Sequence, residues 1–163
     1  MRVPLFLADE QVAFETILHP PAFTAARRAR FLGVSGRDLA KCVLLRGPRG
    51  HVLAILPATG RVDMMAANDA VGGPVQVACR EEIPQVFGDC EWGGLVPFGR
   101  LYGLPTLLDD SFDPERALVF EAHSHALAIR LRCRDFERLE KPRRLRLASQ
   151  PSGRFLPQLR QPQ

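Results

Sequence analysis

Apolar and polar positions change period several times along the chain, and each change marks an element. Ala25, Ala26, Ala29 and Phe31 have helical spacing; Thr24 is a ready N-cap, and Gly33 sits where a left-handed residue ends such a helix. Its outer face is rich in arginine. Residues 40–46 then form a β-type run, turn at Gly47-Pro48-Arg49-Gly50 and return over 51–56, which predicts a hairpin with a four-residue loop. After Pro57 the pattern suits a short helix over 62–71, a strand over 75–78 and a helix over 80–87. Between 88 and 105, Gly and Pro interrupt single apolar residues, so this stretch is expected to be mostly loop. Strands follow at 105–108, 117–122 and 126–132, and a short helix at 135–140. Helices and strands interleave without the long regular crossovers of a nucleotide-binding sheet, so the fold class is mixed α/β, a single domain with short flanking helices.

Composition narrows the setting. The chain has 163 residues, 46% of them hydrophobic, which is enough for one real core. No run reaches the roughly 18 to 20 apolar residues of a membrane span, and residues 1–10 lack a signal-peptide stretch, so a cytoplasmic protein without a membrane partner is expected. Cys42, Cys79, Cys90 and Cys133 are scattered with no C-x-x-C pair, which reads as reduced thiols, with Cys42 and Cys133 acting as small hydrophobes. Charge is uneven: residues 141–163 hold Lys141, Arg143, Arg144, Arg146, Arg154 and Arg160 with no acid. That segment contributes +6 to a formal +4, leaving residues 1–140 at −2. Its prolines and glutamines predict a flexible basic tail, either solvated or steering the protein to an RNA backbone.

The chain lacks G-x-G-x-x-G after a strand, a phosphate loop, H-E-x-x-H and a G-x-S-x-G elbow. What stands out is Lys41. Only it and Lys141 are lysines among 22 basic residues, and alternation puts Lys41 on the same strand face as Val43 and Leu45. An ammonium there either reaches water at the strand end or lines a pocket, where its point charge suits polarising a carbonyl or holding an oxyanion. The run Gly93-Gly94-Leu95-Val96-Pro97-Phe98-Gly99 either exposes successive backbone N–H groups to a ligand or makes a tight turn. His123 and His125 share a face if their strand is continuous, and two such ligands alone make a weak metal site.

Together these residues resemble the YbaK family, also known as the prolyl-tRNA synthetase-associated or INS-like editing domains, over roughly residues 10–140. The resemblance is carried by His19-Pro20, Phe23-Thr24-Ala25, Ala40-Lys41-Cys42-Val43-Leu44, Leu53 through Ala58, Arg61-Val62-Asp63, Phe87-Gly88, the Gly93-x-x-x-Pro97-Phe98-Gly99 loop, Leu104-Pro105 through Asp109-Asp110, and the run from Phe120 to Arg130. It implies a YbaK-like, mainly antiparallel sheet and hydrolysis of mischarged aminoacyl-tRNA in trans, with small amino acids such as alanine or cysteine removed from tRNA that decodes proline.

By the same resemblance Lys41 matches the family lysine, and Gly93 and Pro97 its catalytic loop. His19, Phe23, Thr24, Pro57, Ala58, Gly94, Leu95, Phe98, Gly99, Asp110, His123 and His125 are implied as substrate-binding. The family often has glycine where this chain has His123, a departure that bears on amino-acid preference; His125 aligns with the family histidine. Met64, Met65, Leu53 and Ile55 are candidate pocket walls. The implied partners are the acceptor end of an aminoacyl-tRNA and an aminoacyl-tRNA synthetase that recruits the enzyme, with no metal or organic cofactor, in a monomer or weak dimer. Two other readings remain open: a non-catalytic tRNA- or synthetase-binding module, and a metal-dependent hydrolase on His123 and His125.

Overall fold

Local signals decide where the clearest elements begin and end. The computed structural model describes residues 2–149. In chain order its elements are α1 (Arg2–Asp9), β1 (Phe14–Leu18), α2 (Ala25–Leu32), β2 (Leu39–Gly47), β3 (Gly50–Pro57), β4 (Arg61–Val62), α3 (Met64–Val71), β5 (Gln76–Val77), α4 (Ile83–Val86), β6 (Thr106–Asp109), β7 (Ala117–Ala122), β8 (Ser124–Arg132), α5 (Cys133–Glu140), β9 (Arg143–Leu145) and β10 (Ala148–Ser149). The Thr24 hydroxyl accepts from Arg27 N–H, and Gly33 closes α2 at φ 61°. In α3 the Asp63 carboxylate accepts from the N–H groups of Met65 and Ala66. This helix starts later than the pattern predicts, because Arg61 and Val62 pair with β10 instead.

The β2–β3 hairpin is present, but Gly47 pairs with Gly50, so its loop is two residues rather than four. The positive φ of this turn, 118°, falls on Gly50 just after the two loop residues, where glycine carries no steric cost. The helix expected over 80–87 shrinks to α4, one turn. Residues 88–105 are irregular apart from one 3-10 turn, Gly99–Tyr102.

The main sheet is mixed, in the order β1-β8-β7-β2-β3-β6-β9, with β5 also paired to β2. The pairs β1–β8, β7–β8, β2–β3 and β2–β5 are antiparallel; β2–β7, β3–β6 and β6–β9 are parallel. β7 follows β2 only through Leu39↔Val119 and Ala40↔Phe120, and β5 joins the same edge of β2 at Leu45. Between them the sheet parts, and Lys41 lies at that opening.

One face of the sheet buries Ala40, Leu44, Leu53, Ile55, Leu118, Phe120 and Ile129 against Val3 and Leu7 of α1 and Phe136 and Leu139 of α5. On the other face, α2 covers Leu39, Val119 and Ala128, while α3 covers Leu45, Val52 and Ala54. Lys41 sits between Leu39 and Val43 in sequence and therefore between the α2 and α3 clusters in space.

The flexible tail expected from residue 141 is corrected for its first part. β9 extends the sheet at β6, and the buried Asp109 carboxylate accepts from Leu147 and Ala148 N–H at 2.9 and 2.6 Å. A buried carboxylate needs such donors: Ser111 supplies them to Oδ1, and this segment supplies them to Oδ2. Residues 150–163 of the expected tail lie outside the described residues. All four cysteines are free thiols, and burial pushes Cys133 up to about 11. No helix among the described residues is long and apolar enough to cross a membrane.

Candidate functional site

Lys41 is half-buried, directly opposite Leu56 in the β2–β3 ladder. Burial, with the nearby Arg61 charge adding to it, lowers its pKa. No carboxylate of the described residues lies within ion-pair distance of it. An ammonium held partly out of water without a counter-charge is poised to receive a negative or polarised oxygen from a ligand.

One step beyond the last β2–β7 pair, Glu121 follows Val119 on the strand face covered by α2. Glu121 is 5% exposed. Arg28 of α2 brings its Nε to 2.5 Å from Glu121 Oε1, although that N–H is not aligned on the oxygen, so charge pairing dominates the contact. His125 Nδ1 stands 3.4 Å from the same oxygen. Desolvation raises the Glu121 pKa against the pull of Arg28, His125 and His19. His125 Nε2 meets Trp92 O at 2.8 Å, a contact that puts the ring proton on Nε2 and leaves Nδ1 for the carboxyl group.

His19 is 8% exposed, and its Nε2 is buried without a hydrogen-bond partner while Nδ1 meets Pro20 O. Orphaned buried polar atoms are uncommon outside functional sites. The Phe23 ring, 74% exposed, lies 5.1 Å from the His125 ring. Gly93, at φ 83°, passes so close to His125 that a Cβ would meet Cε1 at 3.3 Å. Gly94 lies equally tight on the His123 and Ser124 backbone. Its N–H is taken by Glu91 O, whereas the Gly93 N–H has no partner among the described residues.

Not every expected site residue gathers here. Thr24 spends its hydroxyl on the α2 cap. Pro57 faces Ala40 across the hairpin, and Ala58 N–H donates to Leu39 O, so both border Lys41 through backbone. From Gly94 to Gly99 the loop turns inward and is buried. Leu95 and Phe98 belong to the core of the opposite face, Phe98 edge-on to Phe6, Phe120 and Phe136. Pro97, which follows Val96 and precedes Phe98 in the chain, is buried as they are. Gly99 is packing-limited, since a Cβ would meet Thr106 Oγ1 at 2.5 Å and Leu104 O at 3.0 Å. Of the expected walls, Leu53 and Ile55 also face away, and Met65 is exposed; Leu56 and Ala58 border Lys41 instead.

His123 departs from the strand. A register shift at Glu121/Ala122 and a φ of 68° at His123 break the alternation, so the two imidazoles diverge. His123 Nε2 accepts from Val3 N–H at 3.3 Å, and Nδ1 faces the Asp89 carbonyl and carboxylate at 3.2 and 3.4 Å. Asp89, Cys90 and His123 could converge on one cation, with ligand atoms within 4.8 Å. However, the Val3 contact puts the ring proton on Nδ1, the atom that would have to bind.

Asp110 lies elsewhere. It lines a cavity of about 690 Å³, with Pro57, Arg37, Asp113, Arg116 and Arg146 at the opposite end of β7 from His125. That cavity contains neither Lys41 nor the Gly93 loop. The residues near the notch that pattern reading did not single out are Arg28, Glu121 and Trp92. Glu121 alone left a signal, an acid inside the apolar run of β7.

Fold and site together define a mixed-sheet α/β domain with a polar notch where a parallel strand pair parts. The chain belongs to the aminoacyl-tRNA editing domain family, whose model matches residues 19–139. No curated protein matches the chain by sequence. Among solved structures it resembles a protein provisionally assigned as a trans-editing enzyme for prolyl tRNA synthetase, at 23% identity and TM-score 0.76 over 83% of this chain and 87% of that one. It also resembles the hypothetical protein APE2540, at 16% identity and TM-score 0.83 over 91% and 100%. A scaffold from epitope backbone grafting by computational design matches at 20% identity and TM-score 0.81 over 92% and 96%. These likenesses establish the shared fold.

Proposed function

We propose that the protein is a trans-editing deacylase that hydrolyses the ester of a mischarged tRNA bearing a small amino acid, of the alanyl- or cysteinyl-tRNA(Pro) class. The observation that carries this reading is the half-buried Lys41 ammonium, lacking an acidic partner among the described residues, at the opening between β2 and β7. The ester is already activated, so catalysis needs a placed water and stabilisation of the tetrahedral oxyanion. Lys41 supplies the charge for the carbonyl oxygen, and the unpartnered Gly93 N–H is the loop donor nearest His125. Water attacks, assisted by a ribose hydroxyl of the substrate. His125, held by Glu121 and Trp92 O, and His19 with its free Nε2 contact the substrate's polar groups. Pro97 acts at one remove, fixing the loop from within the core.

Selection for small side chains follows from pocket volume. One methylene is worth about 1–3 kcal/mol in an apolar pocket, so excluding proline's ring is the stronger device. The test is deacylation of Ala-, Cys-, Ser-, Thr- and Pro-tRNA by wild-type and Lys41→Ala protein, with chelator present. Hydrolysis of one mischarged species that vanishes in the variant supports editing and names the substrate. Inactivity on every species favours a non-catalytic tRNA- or synthetase-binding module on the same fold, and activity abolished by chelator points to a metal-dependent hydrolase.

A further inference from the structure

Trp92 is the one tryptophan of the chain and is 57% exposed, beside the notch rather than inside it. Its carbonyl oxygen is held by His125 Nε2, which ties the residue to the Glu121 cluster. The Arg80 guanidinium lies over the indole, 4.8 Å from the ring centroid. Trp92 and Arg80, with Glu81, Ile83, Pro84 and Cys90, line an open depression of about 380 Å³. Across His125 stands the exposed ring of Phe23. Neither ring is needed by a core cluster, so both leave apolar area in water beside the candidate site.

A flat aromatic surface with a guanidinium on it suits stacking, and every nucleobase presents a π face. The surroundings favour a polyanion over an apolar peptide. Lys41 and Arg61 stand at the notch and Arg80 on the depression, the exposed acids Glu81 and Glu91 lie beside Trp92, and the buried Glu121 is paired with Arg28. Arg80 at the depression and Lys41 at the notch offer cations to the phosphates of a strand that runs between them.

We propose that the Trp92–Arg80 depression stacks an unpaired base of the substrate's single-stranded 3′ end, next to the nucleotide that carries the amino acid. This rests on the deacylase reading of the adjoining notch. The stacked base orients the strand so that its terminal ester enters past Phe23 toward Lys41. The contact reads an unpaired base by its face and is therefore tolerant of sequence, contributing to KM more than to kcat.

Because Trp92 is the only tryptophan, its fluorescence reports on the depression without any turnover. An uncharged RNA minihelix with an unpaired CCA end should quench it saturably, and the same minihelix without those three nucleotides should not. Arg80→Ala should weaken the quenching. With charged minihelix, Trp92→Ala should raise KM about tenfold and Trp92→Phe should restore most of it, as expected for a base–aromatic stack. The wild-type preference for charged minihelix over 3′-aminoacyl-adenosine should fall by a similar factor in Trp92→Ala. Equal quenching by both minihelices, or by neither, overturns the proposal, as does an undiminished preference in Trp92→Ala. If the wild-type protein deacylates nothing, the reading of the notch fails, and the fluorescence titration still decides whether a base binds here.

Discussion

Lys41 and Gly99 represent two kinds of constraint, chemical and steric. Burial and Arg61 lower the Lys41 pKa, so the folded state holds the charged form at a disadvantage to the unfolded chain. The sign follows from linkage. Between the lowered folded value and the ordinary value of 10.5 the unfolded state binds more protons, so the stability penalty is full below that window and fades as pH rises through it. Lys41→Met should therefore abolish deacylation yet unfold at a higher denaturant concentration than wild type at neutral pH, with the gap narrowing above the lowered pKa. A denaturation series across pH checks both sign and window. Gly99 behaves differently, because an added methyl meets Thr106 Oγ1 and the Leu104 carbonyl. Gly99→Ala should lose about 1–3 kcal/mol of stability while the folded fraction keeps the wild-type KM. A raised KM at unchanged stability would restore this glycine to the substrate-binding set.

At the scale of elements, α1 is tied to the β7–β8 turn by one hydrogen bond and to the 88–105 stretch by several contacts. Val3 N–H donates to His123 Nε2, Arg2 approaches Asp89 at 3.9 Å and Tyr102 at 5.3 Å, and Phe6 packs on Phe98. At His123 an imidazole serves as the acceptor for a backbone N–H in the first turn of α1. Removing it should cost about 1 kcal/mol, the usual net value of one such hydrogen bond. Hydrogen exchange on His123→Ala should show the first turn of α1 losing protection and β2–β3 keeping it. Altered amino-acid selectivity with α1 protection intact would place His123 back in the substrate pocket. α2 is held more firmly, through the Arg28–Glu121 pair. Arg28 is 12% exposed at its side chain, and Glu121→Ala would leave it buried without a counter-charge. Breaking such a pair from one side typically costs about 3–5 kcal/mol, measurable by denaturant unfolding.

Over the whole molecule, the basic C-terminal segment divides at residue 149. Residues 143–149 close the β6 edge and satisfy Asp109, while Arg154 and Arg160 are the only cations beyond them. A chain ending at 141 should fold poorly, because it strips donors from a buried carboxylate and exposes the β6 edge. A chain ending at 149 loses two cations, so the slope of log binding constant against log salt for tRNA should fall by at most about 2. An unchanged slope would show that Arg154 and Arg160 do not touch the RNA backbone. Fluorescence-monitored unfolding and salt-dependent binding on both truncations separate the two roles.

Sequence by itself determined what short-range physics encodes. The Thr24 and Gly33 caps bound α2, the hairpin around Pro48-Arg49 follows from turn chemistry, and the glycine-rich 88–105 stretch is irregular; alternation put Lys41 on the face of Val43 and Leu45. Family membership also came from the order of motifs. Only the tertiary structure decided which residues meet. Glu121 and His125 sit four residues apart on β7 and β8, but Arg28 comes from α2 far earlier in the chain, and the packing of α2 on that sheet face that brings it to Glu121 leaves no local mark. A single positive φ at His123 broke an alternation that the residue types alone implied, and the inward turn of the 94–99 segment put Leu95 and Phe98 in the core. Strand β9 looked like solvated tail because its three residues are Arg-Arg-Leu, and it is a strand because the open edge of β6 accepts it. Periodicity reports which face a residue takes within its own element, whereas long-range pairing, bulges and buried charge satisfaction are settled by the whole chain packing at once.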